Sequence, residues 1–265
     1  MFKTRLLSGI VLVIVLVVTV GTGGPLLYGI LLTASLIGLT ELYKVVKIQD
    51  HALGVVGYLA AIGYYVLIDL NRMEYAVPLF ILLLMLVMAV YVFAYPKFRA
   101  EQVTMAFFGV FYVAVMLSFV YQTRELPDGG VMVWLIFLSS WGCDTCAYCV
   151  GVLFGKHKMA PVLSPKKSVE GGVGGVAGAA LLGAVFAAAM HQFAGASVSP
   201  LLCAVICGVG GGISQIGDLC ASAIKRNHEI KDYGKLIPGH GGILDRFDSV
   251  IFTAPIIYYL TVHLV

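Results

Sequence analysis

The sequence predicts an all-α, multi-pass integral membrane protein, a bundle of about nine transmembrane helices. Of the 265 residues, 60% are hydrophobic and only 12% are charged, and the mean hydropathy is +0.97. The apolar runs are long and do not alternate with polar residues, which favours helices over the strands of a membrane barrel. In lipid, a helix satisfies its own backbone N–H and C=O groups, so a helical bundle follows.

Nine apolar segments are predicted to cross a hydrocarbon core of about 30 Å, which takes about 20 helical residues, although the first segment is short and its end is the least certain boundary. The first follows Lys3 and Arg5 and resembles a cleaved signal peptide in outline, but the eight further segments favour a retained span. The predicted spans are 6–21, 25–43, 52–70, 75–95, 103–121, 129–153, 171–193, 199–223 and 243–265.

The distribution of Lys and Arg predicts the orientation of these spans. With a cytoplasmic N-terminus, 15 of the 17 Lys and Arg residues fall on the cytoplasmic side, and only Arg72 and Arg124 fall outside. This bias satisfies the positive-inside rule for nine spans and would be lost if one span were added or removed. The C-terminus is then expected outside the cytoplasm.

The distribution of polar and charged residues divides the chain into two regions. Residues 1–125 are expected to form a helical scaffold that could also carry a dimer interface, and residues 126–265 a catalytic region with two basic cytoplasmic loops, 154–170 and 224–242. Glycines crowd the spans between these loops. Spacing such as Gly171-x-x-x-Gly175 favours close helix packing, and the alternative is a broken helix that lines a polar cavity.

Four acids, Asp144, Asp218, Asp245 and Asp248, lie within or at the ends of predicted spans. A charge in the bilayer is costly, so each acid either pairs with a nearby cation or serves a site. Asp245 and Asp248 are spaced i, i+3 and share a helical face. Together with Asp218 they would give the oxygen-rich ligand set that Mg²⁺ prefers, and Asp144 could hold a second cation.

Two loops are candidates for binding a phosphate-bearing substrate. The glycine turn 238–242 leads into the predicted helix of Asp245, where free N–H groups and the helix dipole would favour an anion. His240 in this turn is more plausible as a hydrogen-bond donor than as a metal ligand. The loop 154–170 could be a topological signal or attract anionic lipid, or it could form the opposing wall of a polyphosphate site.

The motifs resemble those of the CDP-diacylglycerol synthase (phosphatidate cytidylyltransferase) family. The signature is carried by Ser222-Ala-Ile-Lys225-Arg226, Lys231-Asp232, Pro238-Gly-His240-Gly241-Gly242 and Leu244-Asp245-Arg246-Phe-Asp248. Upstream stretches beginning at Asp144 and at Ser164 are similar to further motifs of that family, and the resemblance covers roughly residues 139–250. Ser168 departs from the pattern, because Thr is more usual there.

The resemblance implies transfer of a cytidylyl group from CTP to phosphatidic acid, with release of pyrophosphate. It also implies Mg²⁺, a homodimer, no nucleic-acid partner, and a cytoplasmic (inner) membrane protein whose active site faces the cytoplasm. The expected catalytic residues are Asp218, Asp245, Asp248, Lys225 and Arg226. The expected metal ligands are Asp218, Asp245, Asp248 and Asp144. The expected substrate-binding residues are Lys156, Ser164, Lys166, Lys167, Ser168, Glu170, Ser222, His240, Gly241, Gly242 and Arg246.

Two other functions stay open on the residues alone. A CTP-dependent lipid kinase, acting on a polyprenol-type alcohol, would share the nucleotide and the membrane but release CDP. An ion or solute transporter would also carry intramembrane acids and glycine-rich helices. A transporter is expected to show repeated halves, whereas the polar loops of this chain cluster in one half.

Overall fold

The computed structural model describes the backbone of residues 2–265 and the side chains from residue 7 onward. Within this part of the chain helices dominate, which confirms the prediction of an all-α membrane bundle. The helices are α1 Phe2–Thr22, α2 Gly24–Val45, α3 Ala52–Asp69, α4 Ala76–Phe93, α5 Ala100–Gly109, α6 Met116–Arg124, α7 Gly129–Phe137, α8 Cys143–Phe154, α9 Val169–Ala194, α10 Pro200–Asn227 and α11 Leu244–Leu264. A 3₁₀ turn at Met73–Tyr75 precedes α4.

Eight helical segments in the described residues are long and apolar enough to cross a membrane. Two of them join consecutive helices through π-helical turns: α5 with α6 over Ala100–Arg124, and α7 with α8 over Gly129–Phe154. All eight match a predicted span to within a few residues at both ends. The first predicted span, 6–21, lies in α1, whose 21 residues run from Phe2 to Thr22.

The two basic residues expected outside the cytoplasm both have local partners. Arg72 pairs with Glu74 at 3.2 Å. Arg124 donates from Nε to the carbonyl of Val20 at 3.0 Å and from Nη2 to that of Gly21 at 3.3 Å, at the C-terminal end of α1. A cation is favourable there, because the last carbonyls of a helix lack partners within the helix and carry the negative end of its dipole.

The loop 154–170 contains a short antiparallel hairpin, which the sequence did not predict. Strand β1, Lys158–Ala160, pairs with strand β2, Ser164–Ser168. Helix α9 begins directly after β2, and the Ser168 hydroxyl accepts the N–H of Gly171 at 3.1 Å as its N-cap. The hairpin therefore fixes the basic residues of β2 against the start of a membrane helix.

The chain forms two compact units that are discontinuous in sequence. The first unit comprises Met1–Val11, Pro25–Ser118 and Asp232–Asp245. The second unit comprises Leu12–Gly24, Phe119–Lys231 and Arg246–Val265. Residues 232–245, which include most of the loop after α10 and the first two residues of α11, thus belong with α2 to α5, whereas α8, the hairpin, α9 and α10 belong together.

Within the second unit, glycines let α9 approach α8 and α10 at backbone distance. A Cβ at Gly175 would lie 2.9 Å from the Cys143 Sγ and 3.0 Å from the Cys143 carbonyl oxygen on α8. A Cβ at Gly183 would lie 2.7 Å from the Cys203 carbonyl oxygen on α10. Both α9 and α10 are continuous, so the glycines serve close packing. The alternative of a broken helix is not observed in these two spans.

We expect Gly175→Ala to destabilise the protein, because the added methyl group would press on the backbone of α8. Overpacking of this kind costs about 1–3 kcal/mol. Gly212→Ala on α10 is the matched control, because nothing lies within 4 Å of a Cβ at that position. The control should be neutral or gain a few tenths to about 1 kcal/mol from helix propensity. The measurement is thermal unfolding of both variants in one detergent, and equal transition temperatures would contradict the packing role.

Candidate active site

A cavity of about 460 Å³ lies in the second unit, between α8, the hairpin, α9 and α10. Its wall mixes charged, hydroxyl and amide groups with apolar side chains and glycines, as a binding site for an amphipathic molecule would. The lining residues are Asp144, Ala147, Tyr148, Gly151, Val152, Met159, Lys166, Lys167, Ser168, Gly171, Gly172, Gln215 and Asp218. Five predicted site residues are among them: Asp144, Lys166, Lys167, Ser168 and Asp218.

An ion pair between Lys167 and Asp218 crosses this cavity. Lys167 is supplied by β2 and Asp218 by α10, and their side chains are only 26% and 27% exposed. Partial burial weakens solvent screening, so the attraction between the two charges is screened less than on an open surface. The same ammonium group also attracts Asp144 across the cavity. One lysine of the hairpin is therefore placed between acids from two membrane helices.

Three of the four predicted metal ligands lie within electrostatic range of one another in the second unit. Asp144 on α8 and Asp248 on α11 each interact with the charge of Asp218 on α10. Ser249 links Asp144 to Asp248, because its hydroxyl donates to Asp144 Oδ2 at 3.4 Å and its N–H donates to Asp248 Oδ1 at 2.8 Å. Among the described side chains, no three His, Cys, Asp or Glu groups form a ready-made metal site. The metal assignment stays a prediction.

Cations of the second unit partly neutralise this acidic cluster. Lys225 interacts with Asp248, and Arg246 interacts with Asp144. The Nε of Arg246 is buried and has no hydrogen-bond acceptor among the described residues. A buried donor normally has a partner, so Arg246 has unused capacity to bind an anionic oxygen.

The other predicted residues of α10 lie near its C-terminal end and outside the cavity wall. Lys225 and Arg226 stand in the last turn of α10, where the helix dipole favours cations. Arg226 is exposed and Ser222 is half-buried. Neither Arg226 nor Ser222 lines the cavity, so their predicted roles stay predictions.

Asp245, the fourth predicted metal ligand, belongs to the first unit and is 5% exposed. Its Oδ2 accepts the N–H of Tyr233 at 2.8 Å and the N–H of Gly242 at 3.0 Å. The carboxylate therefore closes the loop 233–242 on itself. The structure shows this role for Asp245, while metal binding remains a prediction.

The start of α11 differs from the sequence expectation of a free anion site. The N–H groups of Ile243 and Leu244 donate to the Glu41 carboxylate at 3.1 and 2.8 Å, and that of Gly242 donates to Asp245. A phosphate would have to displace these carboxylates. Two acids thus occupy N–H groups that the sequence predicted to be free, and anion binding by Gly241 and Gly242 stays a prediction. Gly241 instead supplies a left-handed turn at φ +87°.

His240 connects the glycine turn to the N-terminal helix. Its Nδ1 lies 2.9 Å from the Ser8 hydroxyl, and Ser8 donates to the Pro238 carbonyl at 3.0 Å. Both contacts lie within the first unit. The imidazole thus has a structural partner, and substrate contact by His240 stays a prediction.

Glu170 organises the base of the hairpin. Its carboxylate accepts the N–H groups of Lys156 at 3.1 Å and His157 at 3.2 Å, and it also contacts the His157 ring. The Lys156 side chain is exposed, and Ser164 is half-buried at the start of β2. Lys156 and Glu170 lie at the base of the hairpin and Ser164 lies within it, and none of the three lines the cavity.

Several residues of the cavity were missed by sequence reasoning. Gln215 donates from Nε2 to the Gly172 carbonyl at 2.9 Å and contacts the Cys143 Sγ at 3.6 Å, so it joins α9 to α8 and α10. An amide within an apolar span was the available signal. Tyr148 lies in the stretch beginning at Asp144 that resembles a family motif but was not assigned to the site, and Met159 carried no signal, because Met residues occur throughout the chain.

Known proteins similar to this chain identify its family. The model of the family described as "Cytidylyltransferase family" matches residues 3–264. The phosphatidate cytidylyltransferase of Staphylococcus saprophyticus is 32% identical over 272 residues, covering 99% of this chain and all of the relative. That of Bacillus subtilis is 33% identical over 269 residues, covering 97% of each. The chain therefore belongs to the cytidylyltransferase family and is a membrane-embedded nucleotidyltransferase.

Proposed function

We propose that this chain catalyses the reaction of CTP with phosphatidic acid to give CDP-diacylglycerol and pyrophosphate. The observation that carries the proposal is the cavity in which hairpin lysines face acids from membrane helices. Cationic groups suit the phosphates of both substrates, and Tyr148 and Val152 give the same cavity an apolar side suited to a lipid. The relatives' shared name, phosphatidate cytidylyltransferase, supports this choice of substrates.

The reaction needs little acid–base chemistry from the protein. The second ionisation of a phosphate monoester lies near pH 6, so the phosphatidate oxygen is largely ionised at neutral pH. That oxygen attacks the α-phosphorus of CTP, the bond to the β-phosphate bridge breaks, and pyrophosphate leaves with the electron pair. Rate enhancement then comes from positioning and from neutralising charge.

The residues of the second unit can supply both effects. Lys167 and Lys166 would bind the triphosphate from the hairpin side of the cavity. Lys225 and Arg226, at the end of α10, would hold the phosphatidate headgroup or the triphosphate. Arg246 adds a buried donor near Asp144.

Mg²⁺ fits the chemistry of the acidic cluster. Asp144, Asp218 and Asp248 are hard oxygen donors whose mutual repulsion a divalent cation would relieve. Asp218 and Asp248 would hold the ion, Asp144 could hold it or a second cation, and Asp245 is the further ligand that the sequence suggests. A bound Mg²⁺ would supply charge neutralisation for the CTP phosphates.

We further propose that the protein resides in the cytoplasmic membrane as a homodimer, with both basic loops in the cytoplasm. The charge bias of 15 among 17 Lys and Arg residues supports this orientation. CTP would then reach the cavity from the aqueous side. Phosphatidic acid would reach it from the bilayer.

The most direct test of the proposed function is whether the reaction releases pyrophosphate or CDP. Purified protein, given CTP, Mg²⁺ and phosphatidic acid in mixed micelles, should release one pyrophosphate for each CDP-diacylglycerol formed. Parallel reactions with a polyprenol or with diacylglycerol should give no CDP. Release of CDP with an alcohol acceptor would instead identify a lipid kinase, and ion flux in proteoliposomes without pyrophosphate release would identify a transporter.

Lys167→Ala should lower kcat/KM for CTP by about 10- to 100-fold, the loss expected when a charge-assisted hydrogen bond worth roughly 1.5–3 kcal/mol is removed. Lys158→Ala is the matched control, since Lys158 lies on the partner strand, is exposed and does not line the cavity. The check is steady-state pyrophosphate release by both variants. If Lys167→Ala leaves the kinetics unchanged, Lys167 does not bind substrate, and the basic residues of this loop serve only to orient the protein in the membrane.

Asp218→Asn and Asp248→Asn should each raise the Mg²⁺ concentration for half-maximal activity by about tenfold or more, because each removes an anionic ligand. Glu125→Gln, an exposed acid of the second unit away from the cluster, removes the same charge and should leave the Mg²⁺ dependence unaltered. The measurement is a Mg²⁺ titration at saturating CTP. Wild-type half-saturation in both Asp variants would remove these acids from the metal site.

A further inference from the structure

Glu41 is a buried acid in the first half of the chain, distant in sequence from every motif described above. It lies near the end of α2 and is 4% exposed. An ionised side chain in a membrane helix is costly unless it is paired or hydrogen-bonded, so its position demands a compensating role.

The Glu41 carboxylate holds the first residues of α11. Oε1 accepts the N–H of Ile243 at 3.1 Å and Oε2 accepts that of Leu244 at 2.8 Å, across more than 200 positions of sequence. The N–H groups at a helix start have no acceptor within the helix and carry the positive end of its dipole. A carboxylate from another helix therefore satisfies two donors and the dipole together.

Two glycines make room for this carboxylate. The three atoms nearest to a Cβ added at Gly242 all belong to the Glu41 carboxyl group, with Oε2 at 2.5 Å. A Cβ at Gly234 would lie 2.8 Å from the Glu41 Cδ. Neither glycine has a left-handed φ, so close approach of Glu41 is what excludes a side chain at Gly242.

Asp245 is positioned by the same arrangement. Its carboxylate binds the N–H groups of Tyr233 and Gly242, next to the N–H groups that Glu41 binds. Glu41 thus fixes the start of the helix, and the start of the helix fixes Asp245. Asp248 follows one turn later in α11.

We propose that Glu41 is a positioning residue for cytidylyl transfer, which holds Asp245 and the glycine turn in place without touching substrate. This inference rests on the proposed function. It adds to the reaction a residue that lies outside the motif-bearing part of the sequence. A purely structural Glu41 would instead affect stability alone.

Glu41→Gln is the first test, because the amide keeps the size of the side chain but can accept with only one oxygen. Ser35→Ala is the matched control: Ser35 is buried in the same helix and loses a hydrogen bond to Tyr65, 2.8 Å long, that does not involve α11. We expect Glu41→Gln to lower kcat at least tenfold per folded molecule, with a fall in transition temperature no greater than that of the control. Ser35→Ala should keep the wild-type kcat.

Gly242→Ala gives a second test that leaves the carboxylate in place. Its methyl group should displace Glu41 and lower kcat to a similar extent, whereas in a Glu41→Ala background the same substitution should add less than a twofold loss. Independent, multiplicative losses would overturn the positioning role of Glu41. If Glu41→Gln is not recovered folded, Gly242→Ala alone decides, and an unchanged kcat overturns the inference.

The wild-type reaction separates the two proposals. Absence of pyrophosphate release by wild-type protein would refute the proposed function. Pyrophosphate release that persists at the wild-type rate in folded Glu41→Gln would refute only the positioning role of Glu41.

Discussion

The candidate active site depends on the close approach of three membrane helices, which is possible only because α9 presents glycines to its neighbours. Where Gly171 faces α8, a Cβ would lie 2.8 Å from the Ala147 carbonyl oxygen, and Gly183 meets the backbone of α10 just as tightly. In lipid there is little hydrophobic force between helices, so packing at backbone distance is a main source of association. This packing brings the start of α9, with the hairpin before it, against Asp218.

The close packing also brings charged groups of the candidate active site together. The acids at 144, 218 and 248 would repel one another, and each alone would be costly in a membrane protein. Lys167 offsets part of that cost in the structure. In the proposed reaction, Mg²⁺ would neutralise the acids, and the phosphates of the substrates would pair with Lys167. In the proposed reaction the ion pair of Lys167 with Asp218 would break, because Lys167 would bind a phosphate group and Asp218 would bind Mg²⁺.

Much of this arrangement could be predicted from the sequence, because hydropathy sets the spans and intramembrane charges mark the site. Lys166, Lys167, Ser168, Asp144 and Asp218 were assigned to one site, and all line one cavity. The hairpin was missed, because strands of three and five residues carry too little periodic signal. Glu41 was missed because its contact to Leu244 spans 203 positions and has no local pattern. The partners of the N–H groups at the start of α11 were missed for the same reason, since Glu41 from α2 accepts those of Ile243 and Leu244 while Asp245 accepts that of Gly242.

The central claim is that Lys167 and Asp218 act in one site on the same phosphate-bearing substrate. A double-mutant cycle on kcat/KM for CTP, with Lys167→Ala, Asp218→Asn and the double variant, tests it most directly. We predict a double variant less impaired than the product of the two single losses, with a coupling of about 1 kcal/mol or more. The pair Lys158→Ala and Asp218→Asn should be additive. Additive losses for Lys167 and Asp218 as well would contradict a shared site.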